Sequence, residues 1–185
     1  MRVAAILGED RAARMRRAAG LLLVGLAVAV YANALRAPFI FDDQSAIVGN
    51  PTLRTWWPPW QPLVPPPGAS GVAGRPLVNL SLALNHLVGG EAPAGYHLAN
   101  ALLHGAAAWL LFSLVRRTLV RLRPGEPAGF FAWSVAAVWT VHPLLTESVT
   151  CVVQRTEVLA SFFISERCSR SCAPSSPARG AAGAR

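Results

Sequence analysis

Lysine is absent from this 185-residue chain, and charged residues of any kind make up only 14% of it, against roughly 25% in soluble domains. Apolar residues reach 53% and the mean hydropathy is +0.39. That balance excludes a disordered chain and argues against an ordinary soluble enzyme. Cysteine is scarce too. Cys151 lies in an apolar segment, and Cys168 and Cys172 lie in the tail with no histidine or second pair nearby, which argues against a metal site. No internal repeat is present, which weighs against a transporter built from duplicated halves. All 17 basic residues are therefore arginine, and the formal net charge is +8. A charge of that size would suit a nucleic-acid binder, but the arginines flank apolar runs and no recognised nucleic-acid motif accompanies them. Their placement reads as membrane topology, with a lipid bilayer as partner and no nucleic acid.

Residues 18–35 form an apolar run long enough to span at about 1.5 Å per residue. Arg2, Arg11, Arg14, Arg16 and Arg17 precede it in a basic segment, residues 1–17. A cleaved signal peptide has the same shape, and Ala32-Asn33-Ala34 resembles its cleavage site; the further apolar segments favour a retained helix. Those segments are 97–115, 128–141 and 148–164. The third is short for a span and fits a re-entrant segment as well. Nine arginines fall in 1–17 and 116–127, against three (Arg36, Arg54 and Arg75) in the loop 36–96. The positive-inside rule therefore places that loop on the non-cytoplasmic side. The expected fold class is an all-α integral membrane protein of about four transmembrane helices. Within the external loop, residues 75–90 carry Leu77, Leu80, Leu84, Leu87 and Val88 on one face, with Arg75, Asn79 and His86 opposite and Leu82 intruding. This predicts a helix lying along the membrane interface. Trp56, Trp57 and Trp60, set among prolines, suit either an interfacial loop or a proline-rich surface linker. The sequon Asn79-Leu80-Ser81 falls inside that helix and is discounted.

Ionisable groups inside spans cost at least about 2.5–3.5 kcal/mol each and normally face a protein interior or a wet cavity. His97, Asn100 and His104 stand at i, i+3 and i+7, within about 60° of arc. They either bond helix to helix or line a cavity. Glu147, Thr150, Gln154, Glu157 and Ser161 would share about 80° of a fourth helix, with Arg155 near the other side of Glu147. They form either a structural network or the wall of a polar site. Asp42 and Asp43, just past the first span, could bind a divalent cation or act as a general base, or merely open a surface turn.

Four pieces occur in order: Phe39-Ile40-Phe41-Asp42-Asp43 with Asn50-Pro51; Arg75-Pro76-Leu77-Val78-Asn79-Leu80-Ser81; Gly95-Tyr96-His97-Leu98-Ala99-Asn100-Ala101-Leu102-Leu103-His104; and His142-Pro143-Leu144-Leu145-Thr146-Glu147-Ser148-Val149, trailed by Arg155-Thr156-Glu157. Over residues 20–164 the chain resembles the N-terminal membrane part of the transmembrane and TPR-repeat-containing protein O-mannosyltransferases and their bacterial relatives. The resemblance implies a partial GT-C-type bundle and a polyprenyl-phosphate-linked sugar as donor. It implies transfer to an acceptor protein's hydroxyl on the non-cytoplasmic side, in the inner membrane of a bacterium or the endoplasmic reticulum of a eukaryote. It also implies a catalytic acid in the first external loop, at Asp42 or Asp43. His97, His104, His142 and Arg155 are then candidates to meet the donor phosphate, and Asn100, Glu147 and Glu157 to line the cavity. No cofactor besides an optional divalent cation is expected.

Two features depart from that family. Its members carry more spans and helical repeats of about 34 residues, neither found here. Beyond Ile164 the segment 165–185 lacks an apolar face and is expected to be disordered, as a frameshifted or truncated product would be, with little activity alone. The competing functions are a non-enzymatic membrane scaffold and a small transporter component.

Overall fold

Proline and glycine punctuate the helices. In the computed structural model, which describes residues 2–171, helix α1 runs Arg2–Val30 and ends in a 3₁₀ turn, Ala32–Arg36. Helix α2, Pro76–Gly89, and helix α3, Pro93–Leu122, each begin on a proline at the first helical position. The missing N–H costs nothing there. Gly90, at φ 58°, closes α2 in a left-handed conformation that glycine adopts without strain. Helix α4 is Ala128–Thr140, α5 is Thr146–Thr150 and α6 is Arg155–Ser171. No strand occurs among the described residues, so the all-α expectation holds.

α3 is the central post. Along one side it runs antiparallel to α1, and two glycines let the backbones close. Gly20 lies under the Trp109 ring, and a Cβ built on Gly105 would stand 2.7 Å from the Val24 Cα. Close approach over small residues is the usual way helices associate where burial from water offers no drive. α4 packs on α3 through Ala132 and Ala136, one turn apart, which join Leu23, Ala108 and Phe112 in one buried cluster. Its other face shows Phe130, Phe131, Val135 and Val138 to the outside. α6 packs against α3 as well.

A second cluster caps the bundle at the start of α3. Phe39, Ile47, Leu53, Val72, Val78, Leu82 and Tyr96 pack with Val152 and Val153. Here the intruding Leu82 finds its reason: α2 turns Val78, Asn79, Leu82 and Ala83 inward, while Leu77, Leu84, Leu87 and Val88 stay exposed. Trp57 and Trp60 are exposed beside this cap, whereas Trp56 packs onto it.

The helix inventory differs from the expected four spans. Among the described residues one helix, Pro93–Leu122, is long and apolar enough to cross a membrane; α4 together with Pro143–Thr150 adds a second if that pair, bent by 55°, counts as one span. The segment expected at 148–164 is not one helix. It breaks after Thr150, passes through extended Cys151 and the 3₁₀ turn Val152–Gln154, and resumes as α6. The break survives because its backbone groups find side-chain partners, described below. α6 also carries on past Ile164 to Ser171, so the start of the segment expected to be disordered is helical; residues 172–185 lie outside the described residues.

The α1/α3 contact yields a test. Gly105→Ala should destabilise the protein by about 1–3 kcal/mol, since its methyl meets backbone that cannot swing aside. Gly25→Ala, which faces open space, should melt like the parent in the same detergent.

Candidate functional site

The break after Thr150 exposes carbonyls above it and N–H groups below it, and each set must be satisfied once buried. Asn100, about two turns into α3, answers the first. Its Nδ2 donates towards the carbonyls of Val149, Cys151 and Val152 at 3.3–3.4 Å. Asp43 answers the second from across the molecule. Val153 N donates to its Oδ1 at 2.9 Å and Val152 N to its Oδ2 at 3.3 Å, with the Cys151 thiol 3.7 Å from Oδ1. A carboxylate on the first N–H groups of a helix is favoured by the helix dipole as well as by these bonds.

Arg155 completes the arrangement. Its side chain is 1% exposed. Nε donates to Asn100 Oδ1 at 2.7 Å, Nη1 to the Ser81 carbonyl at 3.1 Å and Nη2 to the Tyr96 carbonyl at 3.1 Å. One guanidinium thus ties α6, α3 and α2 together. The residue expected to meet a donor phosphate is instead enclosed by acceptors of its own chain.

His97 lies beside these groups, within electrostatic range of Asp43 and Arg155. It is buried, and among the described residues neither ring nitrogen has a partner at full hydrogen-bond geometry, the backbone of Ala37 being the polar group that bears on it. His104 sits deeper on α3 and serves packing. Its Nε2 lies 3.1 Å from the Thr140 carbonyl, which also receives the Tyr31 hydroxyl at 3.3 Å. That carbonyl is one of those left over where α4 ends. The imidazole stacks on Trp139 with centroids 4.6 Å apart. Of the two readings of the His97, Asn100, His104 stripe, interhelix bonding describes Asn100 and His104.

The remaining candidates do not join them. His142 is exposed and accepts from Leu144 N at 3.3 Å, capping a 3₁₀ turn. Glu147 and Glu157 are exposed, and the helical break removes the common face on which the sequence places them with Thr150, Gln154 and Ser161. Arg155 likewise turns inward, away from the flank of Glu147. Among the described residues no group of three His, Cys, Asp or Glu is placed to hold a metal ion.

The aspartate pair separates into two kinds of group. Asp43 is fully buried, and both its oxygens are engaged. Asp42 is exposed and its carboxylate is engaged by no hydrogen bond or ion pair among the described residues. Between Ile40 and Asp42 stands Phe41, 87% exposed and at φ 45°, a strained backbone for a bulky side chain. Hydrogen bonds hold the turn around it: Asp43 N to Ile40 O at 3.0 Å, Gln44 N to Phe41 O at 3.2 Å and Gln44 Nε2 to Phe39 O at 3.1 Å. Sequence reasoning missed this strain, for which phenylalanine gives no local signal.

It also missed a buried amide network under the cap. Asn50 Nδ2 donates to Asn79 Oδ1, and Asn79 Nδ2 to Thr52 Oγ1, each at 2.8 Å. The Pro62 carbonyl also accepts from Asn79, at 2.8 Å. The sequon asparagine is thereby held inside. Asn79, the one amide on the inner face of α2, was the available clue.

Curated relatives match about three quarters of the chain. The chain is 39% identical over 141 residues to the protein O-mannosyl-transferase Tmtc1 of Drosophila melanogaster, a match covering 72% of this chain and 16% of the relative. It is 37% identical over 153 residues to human protein O-mannosyl-transferase TMTC2, covering 78% and 17%. Mouse protein O-mannosyl-transferase TMTC3 is 33% identical over 154 residues, covering 77% and 15%. The chain belongs to the TMTC family of protein O-mannosyl-transferases. It spans about one sixth of the length of these relatives. No family model matches it, and no solved structure does. TMTC membership agrees with the order of the four sequence pieces, and the structure shows that three of them (Phe39–Asp43, Arg75–Ser81 and Gly95–His104) meet at the break before Arg155.

The two aspartates should respond differently to loss of charge. Asp43→Asn presents an amide where two N–H donors point and should cost about 1–3 kcal/mol. Asp42→Asn should melt with the parent in detergent, as read by tryptophan fluorescence.

Proposed function

We propose that this chain provides the external acid-bearing face of a membrane glycosyltransferase, which moves a sugar from a polyprenyl-phosphate donor to a serine or threonine hydroxyl of an acceptor protein, with Asp42 as general base. The family's name makes the sugar mannose. The carrying observation is the free carboxylate of Asp42 on a turn pinned by its neighbour. A hydroxyl is a weak nucleophile until a base takes its proton. In the transfer, the acceptor oxygen gives its proton to Asp42 and bonds to the anomeric carbon. The bond from that carbon to the phosphate oxygen breaks, and the lipid phosphate leaves with the electron pair. Asp43 is unsuited to the base's part, because it is fully buried and both its oxygens already accept from the backbone N–H groups of Val152 and Val153. Asp43, Asn100 and Arg155 act as positioning residues, holding the turn in place.

The membrane placement adds sidedness. α1, α3, α4 and the broken segment ending in α6 alternate in direction, so the turn at Asp42 and the break at Cys151 share one end of the bundle. That end is read as non-cytoplasmic. Reporter fusions at residues 60 and 145 should report one side and a fusion at residue 120 the other; any other pattern removes the base from the donor's side.

A second reading, a non-enzymatic scaffold, draws support from Asn100, His104 and Arg155, all engaged between elements. Activity separates the two. In membranes holding the whole gene product, supplied with mannosyl-phosphoryl polyprenol and an acceptor protein, Asp42→Asn should lower turnover by about 10²–10⁴-fold. Undiminished transfer would favour the scaffold.

A further inference from the structure

The transfer needs a second charged group, opposite in sign to Asp42. When the bond from the anomeric carbon to the phosphate oxygen breaks, a phosphodiester becomes a phosphomonoester and gains negative charge. A donor fixed in place beforehand meets such charge best. Arg155 is enclosed by Asn100 and by the carbonyls of Ser81 and Tyr96. Of the arginines in the loop 36–96, Arg54 is paired with Glu91, and Arg36 is exposed with no bond to orient it. Arg75 is different.

Its backbone is pinned on both sides, the N–H donating to the Val72 carbonyl at 2.9 Å and the carbonyl accepting from Asn79 N at 3.1 Å. Nη1 donates to the Gly71 carbonyl at 2.9 Å and to Thr156 Oγ1 at 3.3 Å, which uses both of its protons. Nε and Nη2 bond to nothing among the described residues, and Arg75 joins no ion pair there. The side chain is exposed. A guanidinium held by one nitrogen, with its Nε–Nη2 edge open, presents a fork that matches a phosphate.

Principles of reach place that fork on the right side of Asp42. The Thr156 hydroxyl donates to the Val153 carbonyl at 3.3 Å, and Val153 N donates to Asp43 Oδ1 at 2.9 Å. Val153 thus stands between Arg75 and the aspartate turn, with its side chain against Gly71. In a single displacement the attacking and leaving oxygens lie on opposite sides of the carbon. A base and a phosphate-binding cation therefore belong on the two flanks of a sugar ring and not side by side.

We propose that Arg75 binds the phosphate of the polyprenyl-phosphate donor through its Nε–Nη2 edge and stabilises the charge gained as that phosphate leaves. This assignment rests on the transfer reaction proposed above and adds to it the residue that receives the leaving group.

The whole gene product tests it, with mannosyl-phosphoryl polyprenol as donor and polyprenyl phosphate as the probe of binding. Arg75→Gln should lower kcat/KM for the donor by about 10²–10³-fold and leave the acceptor KM unchanged. It should also lose the rise in melting temperature that polyprenyl phosphate gives the parent. Arg75→Lys, which keeps the charge without the fork, should fall between the two. Arg36→Gln should behave as the parent. Asp42→Asn should lose turnover and keep the melting shift, which separates the base from the cation. Equal response of the parent and Arg75→Gln to polyprenyl phosphate overturns the Arg75 assignment and leaves the base in place. So does a loss of transfer that appears only in the acceptor KM. Undiminished turnover in Asp42→Asn instead overturns the transfer reading beneath it. If Arg75→Gln does not fold, phenylglyoxal decides with the parent alone. Polyprenyl phosphate should shield Arg75 from modification, mapped by mass spectrometry, and leave Arg36 reactive; equal labelling of Arg75 with and without the probe overturns the proposal.

Discussion

The carboxylate of Asp43, set on the N–H groups of Val152 and Val153, is the constraint on which the rest of the outer end depends. Without it the chain after Thr150 would have to run on as helix or bury unmet donors. With it, α5 and α6 separate at Cys151, and the freed carbonyls turn to Asn100. The break lets Arg155 point inward to Asn100, Ser81 and Tyr96. A residue of the first loop therefore shapes a helix more than a hundred positions away, and in return that helix fixes the loop. Such a network is costly if any member is missing, because each remaining group is left buried and unpaired.

The proposed function rests on how the pair Asp42–Asp43 is divided. Adjacent residues on a tight turn point different ways, and one of them can be anchored while the other stays in the open. The anchored acid provides rigidity and the open one provides a free lone pair. The strained Phe41 just before them fits a turn held by its surroundings rather than by its own preference. The placing of Asp42 therefore depends on groups held inside the protein: Asp43, then Asn100 and Arg155 behind it.

Much of the helical plan was legible along the chain. The apolar runs marked helices within 75–90, 97–115 and 128–141, where the structure has α2 over Pro76–Gly89, the longer α3 over Pro93–Leu122 and α4 over Ala128–Thr140. The polar stripe on α3 marked Asn100 and His104 as groups that must meet something. What they meet was not legible. Hydrophobic pattern across 148–164 reads as one span, because Val149, Val152 and Val153 are apolar in either conformation; only partners distant in sequence make the break cheaper than continuation. The shared face of Glu147 and Glu157 failed for the same reason, and Arg155 read as a candidate for the donor phosphate because its acceptors lie far off in sequence, on α2 and α3.

By itself the sequence determined the class of object: helical, apolar and arginine-flanked, with acids just past the first apolar run and a family stamp in ordered motifs. Residue type and spacing are local, and so are the propensities and periodicities that follow from them. The tertiary structure alone decided which aspartate is held and which is free, where the fourth segment breaks, and that Arg155 faces protein. Those are questions of which groups meet across long stretches of chain, and a buried hydrogen bond exists only once both partners have been brought to the same place.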